Sequence, residues 1–181
     1  MKIFVSLIAV SLLLTGCGRS QIETAPNSGI VKDCAEIKHA TDLNNGTSLW
    51  CAERSKADIA LESLRGPMVV NVYGSWCAPC KDEIPYFREF YEKYNDQVQV
   101  VGIAVEEAKP SDTQAFIKEM GIKWPSLYDP DGRTRGKFGM GVPVTFFVDS
   151  TGKIVGQIVG AVPDSLSIVK AANKFLKLNL Q

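Results

Sequence analysis

Two cysteines separated by two residues, Cys77 and Cys80 in Ser75-Trp76-Cys77-Ala78-Pro79-Cys80, are the residues of this chain best suited to chemistry. On the first turn of a helix such a pair can close a small disulfide, and the helix start favours the thiolate of the leading cysteine. Cys77 therefore reads as the attacking thiolate. Cys80, one turn deeper, reads as the resolving thiol that releases a mixed disulfide. Glu83 follows three residues later on the same helical face, close enough to perturb the thiols or relay a proton. The alternative for Glu83 is a solvated helix carboxylate like its neighbour Asp82.

A CxxC pair also serves zinc sites, so the elements that deliver it decide its reading. Residues 68–73 are nearly continuous in apolar and β-favouring types, as in a strand buried on both faces, and the run stops at Gly74. Beyond the cysteines Ile84, Phe87, Phe90, Tyr91 and Tyr94 recur at helical spacing, with a kink expected at Pro85. A second buried strand is predicted over 98–105, a helix over 111–120 ending at Gly121, and a short strand over 124–128. Residues 134–138 predict a brief helical turn, and 144–148 with 153–159 an antiparallel hairpin turning at 150–152. A last helix begins at Pro163 and Asp164, with Leu166, Val169, Ala172, Phe175 and Leu176 on its inner face. The order of elements argues for an α/β fold with a central mixed sheet covered on both faces.

The chain has 181 residues, enough for one well-cored domain plus extra sequence, and 20 basic residues balance 20 acidic ones, so nothing points to nucleic acid. Lys2 followed by the apolar run 3–14 reads as a signal peptide, too short to span a bilayer, which needs about 20 apolar residues. Leu14-Thr15-Gly16-Cys17 resembles the lipobox of bacterial lipoprotein precursors, which implies that Cys17 becomes the lipidated N-terminus; an ordinary secretory signal is the alternative. The division expected is signal peptide 1–16, lipidated N-terminus and tether 17–33, and a folded domain with an N-terminal extension over 34–181. Setting Cys17 aside leaves four of the five cysteines. With Cys77 and Cys80 as the local redox pair, Cys34 and Cys51 remain as a possible structural disulfide of an exported protein. Residues 48–51 could be an edge strand, and His39, the only histidine, is expected to be solvent-exposed and is assigned no role.

From about residue 49 to 178 the chain resembles the thioredoxin-fold proteins of the membrane-anchored TlpA and ResA group. The resemblance rests on Trp-Cys-Ala-Pro-Cys at 76–80, Glu83 and Pro85, Gly141-Val142-Pro143-Val144-Thr145-Phe146, and Asp149 with Gly152. It implies a three-layer α/β/α sandwich in which the helix 111–120 and the strand after it form the group's central insertion. It also implies a cis Pro143 facing the cysteines, with the Val142 backbone free to pair with an extended substrate. Trp76 is expected to cover the site, and Glu83 gains weight as a proton handler. Tyr73-Gly74 departs from the group's usual aromatic-Ala and puts packing below the cysteines, and redox poise, in question.

The function implied is a thiol-disulfide oxidoreductase, lipid-anchored on the outer side of the cytoplasmic membrane. It would reduce client proteins with cysteine pairs, such as apocytochrome c, with electrons from an integral membrane thiol transporter. A monomer without cofactor or metal is expected. Three alternatives stand beside it: an oxidant in oxidative folding, a peroxiredoxin-like thiol peroxidase, and a disulfide-stabilised or zinc-holding lipoprotein that only binds a partner. A peroxidase resembles Thr-x-x-Cys, whereas Gly74 stands three residues before Cys77.

Overall fold

The computed structural model describes residues 32–43, 46–52, 58–139 and 141–181. The expected signal peptide, Cys17 and nearly all of the tether lie outside them. Seven strands form one mixed sheet: β1 (Ser48–Cys51), β2 (Asp58–Ala60), β3 (Met68–Tyr73), β4 (Gln99–Val105), β5 (Ser126–Asp129), β6 (Val144–Val148) and β7 (Ile154–Val159). Their spatial order is β2-β1-β5-β4-β3-β6-β7. β3, β4 and β5 run parallel, while β6, β7, β1 and β2 are joined antiparallel at the two sides.

The helices are α1 (Ala78–Tyr94), α2 (Pro110–Met120), α3 (Arg135–Phe138) and α4 (Ser165–Leu176). Alternation along β3 sorts the core. Val69 and Tyr73 share a cluster with Ile84, Phe87 and Phe90 of α1, Phe116 of α2 and Ile168 of α4. Met68, Val70 and Val72 face the other way, toward Phe138 of α3 and the N-terminal extension. The fold is thioredoxin-like, with helices on both faces, the second layer being much the thinner. Every residue of β3 is buried, Asn71 included, as the nearly continuous run predicts.

Two local expectations change, at β1 and at Leu166. β1 is not an edge strand: it lies between β5 and β2, and the edge is β2, whose three residues are too few to show a period. α1 carries Pro85 inside its span, and both Pro85 and Lys81, whose carbonyl loses its partner, lie on the exposed face where water can serve it. Leu166 is 54% exposed, and Ile168 takes the buried place on α4. The turn from β6 to β7 is closed by Asp149, which accepts from Thr151 N–H, Thr151 Oγ1 and Lys153 N–H at 2.6–3.0 Å. The Thr151 hydroxyl in particular holds its carboxyl below the usual range.

Cys34, at the start of a 3-10 turn (Cys34–Glu36), is disulfide-bonded to Cys51 at the end of β1, with Cα atoms 5.8 Å apart. This bond ties the extension to the sheet across a sequence separation of 17. Replacing both cysteines by alanine is expected to lower unfolding free energy by about 3 kcal/mol in denaturant titration, from the wider freedom of the open chain. His39 is half-buried rather than exposed: its Nδ1 lies 2.7 Å from the Ile37 carbonyl oxygen and its backbone bridges to Leu64.

Candidate active site

β3 ends at Tyr73, and the loop that follows sets Cys77 as the N-cap of α1. Cys77 and Cys80 are joined in a disulfide with Cα atoms 5.3 Å apart. Cys77 is 5% exposed and Cys80 fully buried, so any exchange partner meets Cys77 first. The Cys80 N–H donates to Cys77 Sγ at 3.2 Å, so one free donor of the helix start points at this sulfur. That geometry favours negative charge on Cys77 when the bond opens.

The loop is held from β4. Glu106 has a left-handed backbone (φ 56°), and the turn there sends two adjacent glutamates to two walls. Glu106 pairs with Arg135 of α3, and Glu107 accepts from Ser75 N–H at 2.5 Å and from the Ser75 hydroxyl at 2.6 Å. Glu107 is nearly fully buried and anchors the residue two before Cys77. The sequence carried no sign of this, since Glu106-Glu107 reads as a charged strand end.

Trp76, Val142, Val72, Val105, Phe138 and the Glu106–Arg135 pair line one groove. The Val142–Pro143 bond is cis, and pairing of Val72 with Val144 sets Pro143 beside the end of β3 that feeds the cysteines. Pro143 is buried and its carbonyl accepts from Gly160 N–H at 3.0 Å; Val142 is half-buried. Trp76 lies back over Gly74 with 58% of its surface exposed, so it forms a wall more than a cover. A Cβ at Gly74 would come within 2.6 Å of the indole, which explains glycine at the position that departs from the group pattern. In Gly74→Ala the exposed indole is expected to swing outward, with stability changed by about 1 kcal/mol or less. Acrylamide quenching of tryptophan emission, with Trp76→Phe as the blank, would register the movement.

Glu83 is fully buried, whereas Asp82 is exposed. Asn71 Nδ2 donates to Glu83 Oε1 at 2.7 Å and Val162 N–H to Oε2 at 3.0 Å. Burial pushes its carboxyl up to about 7, against the downward pull of these two donors. Asn71 was visible in the sequence as the one polar residue of an apolar run, though its partner was not. All four cysteines in the described residues are disulfide-bonded, and no cluster of three or more His, Cys, Asp or Glu there could hold a metal ion. None of the described helices is long and apolar enough to cross a membrane.

Residues 43–157 match the AhpC/TSA family. The chain belongs to the AhpC/TSA family. Within this family it is 35% identical over 105 residues to the thiol-disulfide oxidoreductase ResA of Bacillus thuringiensis (strain Al Hakam), covering 56% of this chain and 60% of ResA. The chain thus spans about three fifths of the length of the curated relatives it matches. A DsbF homologue from Corynebacterium diphtheriae superposes with a TM-score of 0.60 at 25% identity, over 83% of this chain and 96% of that one. StoA from Bacillus subtilis gives a TM-score of 0.57 at 23% identity, over 68% and 92%, and shares the fold. The similarity to the TlpA and ResA group read from the motifs stands on these findings. The AhpC/TSA match spans the cysteine pair, Glu83 and Pro143 together.

Proposed function

We propose that this protein is an extracytoplasmic thiol-disulfide oxidoreductase that reduces disulfides of client proteins. The observation that carries the reading is the Cys77–Cys80 disulfide at a helix start, with Cys77 on the accessible side and Cys80 beneath it. In the reduced state Cys77 thiolate attacks one client sulfur, forms a mixed disulfide and expels the other client sulfur as a thiolate, which takes up a proton. Cys80 then loses its proton and attacks Cys77 Sγ. The second client sulfur leaves as a thiolate and takes up a proton, so the client leaves with two thiols and the protein keeps the Cys77–Cys80 bond; two electrons have passed to the client, with one proton supplied by Cys80 and one by water.

Glu83 is the group suited to take the Cys80 proton, since it sits one helical turn on and is poised near neutrality by burial. Val142 and Pro143, with Trp76 opposite, form the wall where an extended client segment lies beside Cys77. Cys34–Cys51 is the structural bond of the extension. Anchoring through a lipidated Cys17, reloading by an integral membrane thiol transporter, and clients of the apocytochrome c type complete the reading by resemblance. Thiol peroxidase chemistry is less well served: position 74 lacks a hydroxyl, and the nearest one, Ser75, is donated to Glu107.

Direction is tested by two stoichiometric mixtures. Reduced protein with a disulfide-bonded peptide should yield peptide dithiol, and oxidised protein with the dithiol peptide should yield little disulfide. The reverse pattern would make the protein an oxidant.

A further inference from the structure

Glu83 accepts an N–H at each of its two oxygens, an arrangement complete for a carboxylate and one atom wrong for the acid. With Val162 N–H fixed on Oε2, a proton on Glu83 belongs on Oε1, where it would face the Asn71 NH2 group, donor against donor. The same amide leaves its oxygen unused: Asn71 Oδ1 is buried and has no hydrogen-bond partner. Directly across the β3–β6 register stands Thr145, fully buried, on the same sheet face, its Oγ1 also without a partner. Opposed side chains of an antiparallel pair have Cβ atoms about 4.5–5.5 Å apart, within reach of a hydroxyl-to-amide bond.

We propose that Asn71 and Thr145 are positioning residues for Glu83: the Asn71 carboxamide turns over with the protonation of Glu83, and the Thr145 hydroxyl serves whichever end of the amide Glu83 leaves free. With Glu83 ionised, Asn71 Nδ2–H donates to Oε1, as the structure shows, and a turn of the Thr145 hydroxyl onto the unused Asn71 Oδ1 adds one bond that the structure does not contain. With Glu83 protonated, Oε1–H donates to Asn71 Oδ1, and the amide's N–H, now turned away, donates to Thr145 Oγ1. A hydroxyl is both donor and acceptor, so one threonine suits both states. The device lets a carboxyl sealed from water gain and lose a proton while the Glu83 carboxyl and both ends of the amide keep a partner in each state. No charged side chain perturbs Glu83; β3 presents Tyr73, whose hydroxyl donates to Ser126 Oγ, and β6 and α4 present Phe147, Ile168 and Ala172. The cysteines of its own helix are the remaining titratable groups near it.

The inference rests on the reading of Glu83 as proton handler, and the test separates the two. The Glu83 Cδ resonance is followed by carbon NMR from pH 5 to 9 in the oxidised full chain. Thr145→Val, of matching shape, strands an amide N–H in the acid form and a carbonyl in the ionised form. An orphaned N–H costs more, so the Glu83 midpoint should fall, by about one pH unit. Thr145→Ser should return it to the wild-type value, and Asn71→Leu, which removes a donor to the carboxylate, should raise it by about one pH unit. A Thr145→Val midpoint equal to or above wild type overturns the proposal.

If Thr145→Val does not fold, the Asn71 side-chain amide signals of the wild type decide. They should titrate with the Glu83 midpoint, and amide signals constant with pH overturn the proposal. In the reduced chain, an alkylation rate of Cys77 that ignores the Glu83 midpoint would instead overturn the proton-handling reading, leaving the amide turnover to stand or fall on the NMR alone.

Discussion

Replacing Cys80 by serine is expected to stop turnover at a covalent protein–client adduct. Cys77 remains the more exposed sulfur of the two and keeps its place at the helix start, so it still attacks a client disulfide, but the fully buried partner that would expel the client is gone. Mass spectrometry without reductant should show one client chain per protein, releasable by dithiothreitol. Cys77→Ser should form no adduct and lose activity by roughly a thousandfold or more, because the nucleophile itself is missing. Equal trapping by both single variants would assign the wrong sulfur to attack.

Glu83→Gln is expected to change the dependence of stability on pH more than any other single substitution at this site. Unfolding returns Glu83 to an ordinary carboxyl, with a reference value of 4.5, while in the folded protein burial raises it to about 7. Between those values the folded state holds the proton and the unfolded state has lost it. The contribution of the protonated group is therefore complete below pH 4.5 and is lost as pH rises to about 7, after which it is constant. A displacement of that size corresponds to roughly 3 kcal/mol. The difference in unfolding free energy between Glu83→Gln and wild type, both oxidised, should thus favour the variant more at pH 8 than at pH 4.5 by about that amount. The same variant should exchange disulfides more slowly, since its amide cannot take the Cys80 proton. A difference that is flat with pH would mean that the carboxyl titrates near its ordinary value and is no store for that proton.

How far these roles could be read in advance depended on their range in sequence. β3 and β6 have the bounds their nearly continuous apolar and β-favouring runs predict, each interrupted by one polar residue, Asn71 and Thr145, because strands buried on both faces carry a signal in almost every residue. β2 carried none, being three residues long and stabilised by its pairing with β1. Leu166 and Ile168 both fit a helical stripe; only the line of contact with β6 and β7 separates them. In the site, Cys77 and Cys80 announced themselves by spacing, whereas the burial of Glu83 was a matter of tertiary packing that helical spacing left open against exposure. Glu107 acts across a sequence separation of 32, through a left-handed turn at Glu106 that nothing local required. Gly74, read as a departure, makes sense only once the indole of Trp76 is seen lying on it.

Cys77 and Cys80 are expected to form a reversible redox couple. Equilibrating the protein in redox buffers and counting alkylated thiols should give one two-electron transition, about 30 mV per tenfold change in ratio, confined to Cys77 and Cys80 while Cys34–Cys51 stays closed. For a reductant its midpoint should lie below about −200 mV. A pair that stays closed throughout the biological range, or two cysteines that react independently, would mean that Cys77 and Cys80 are not a redox couple.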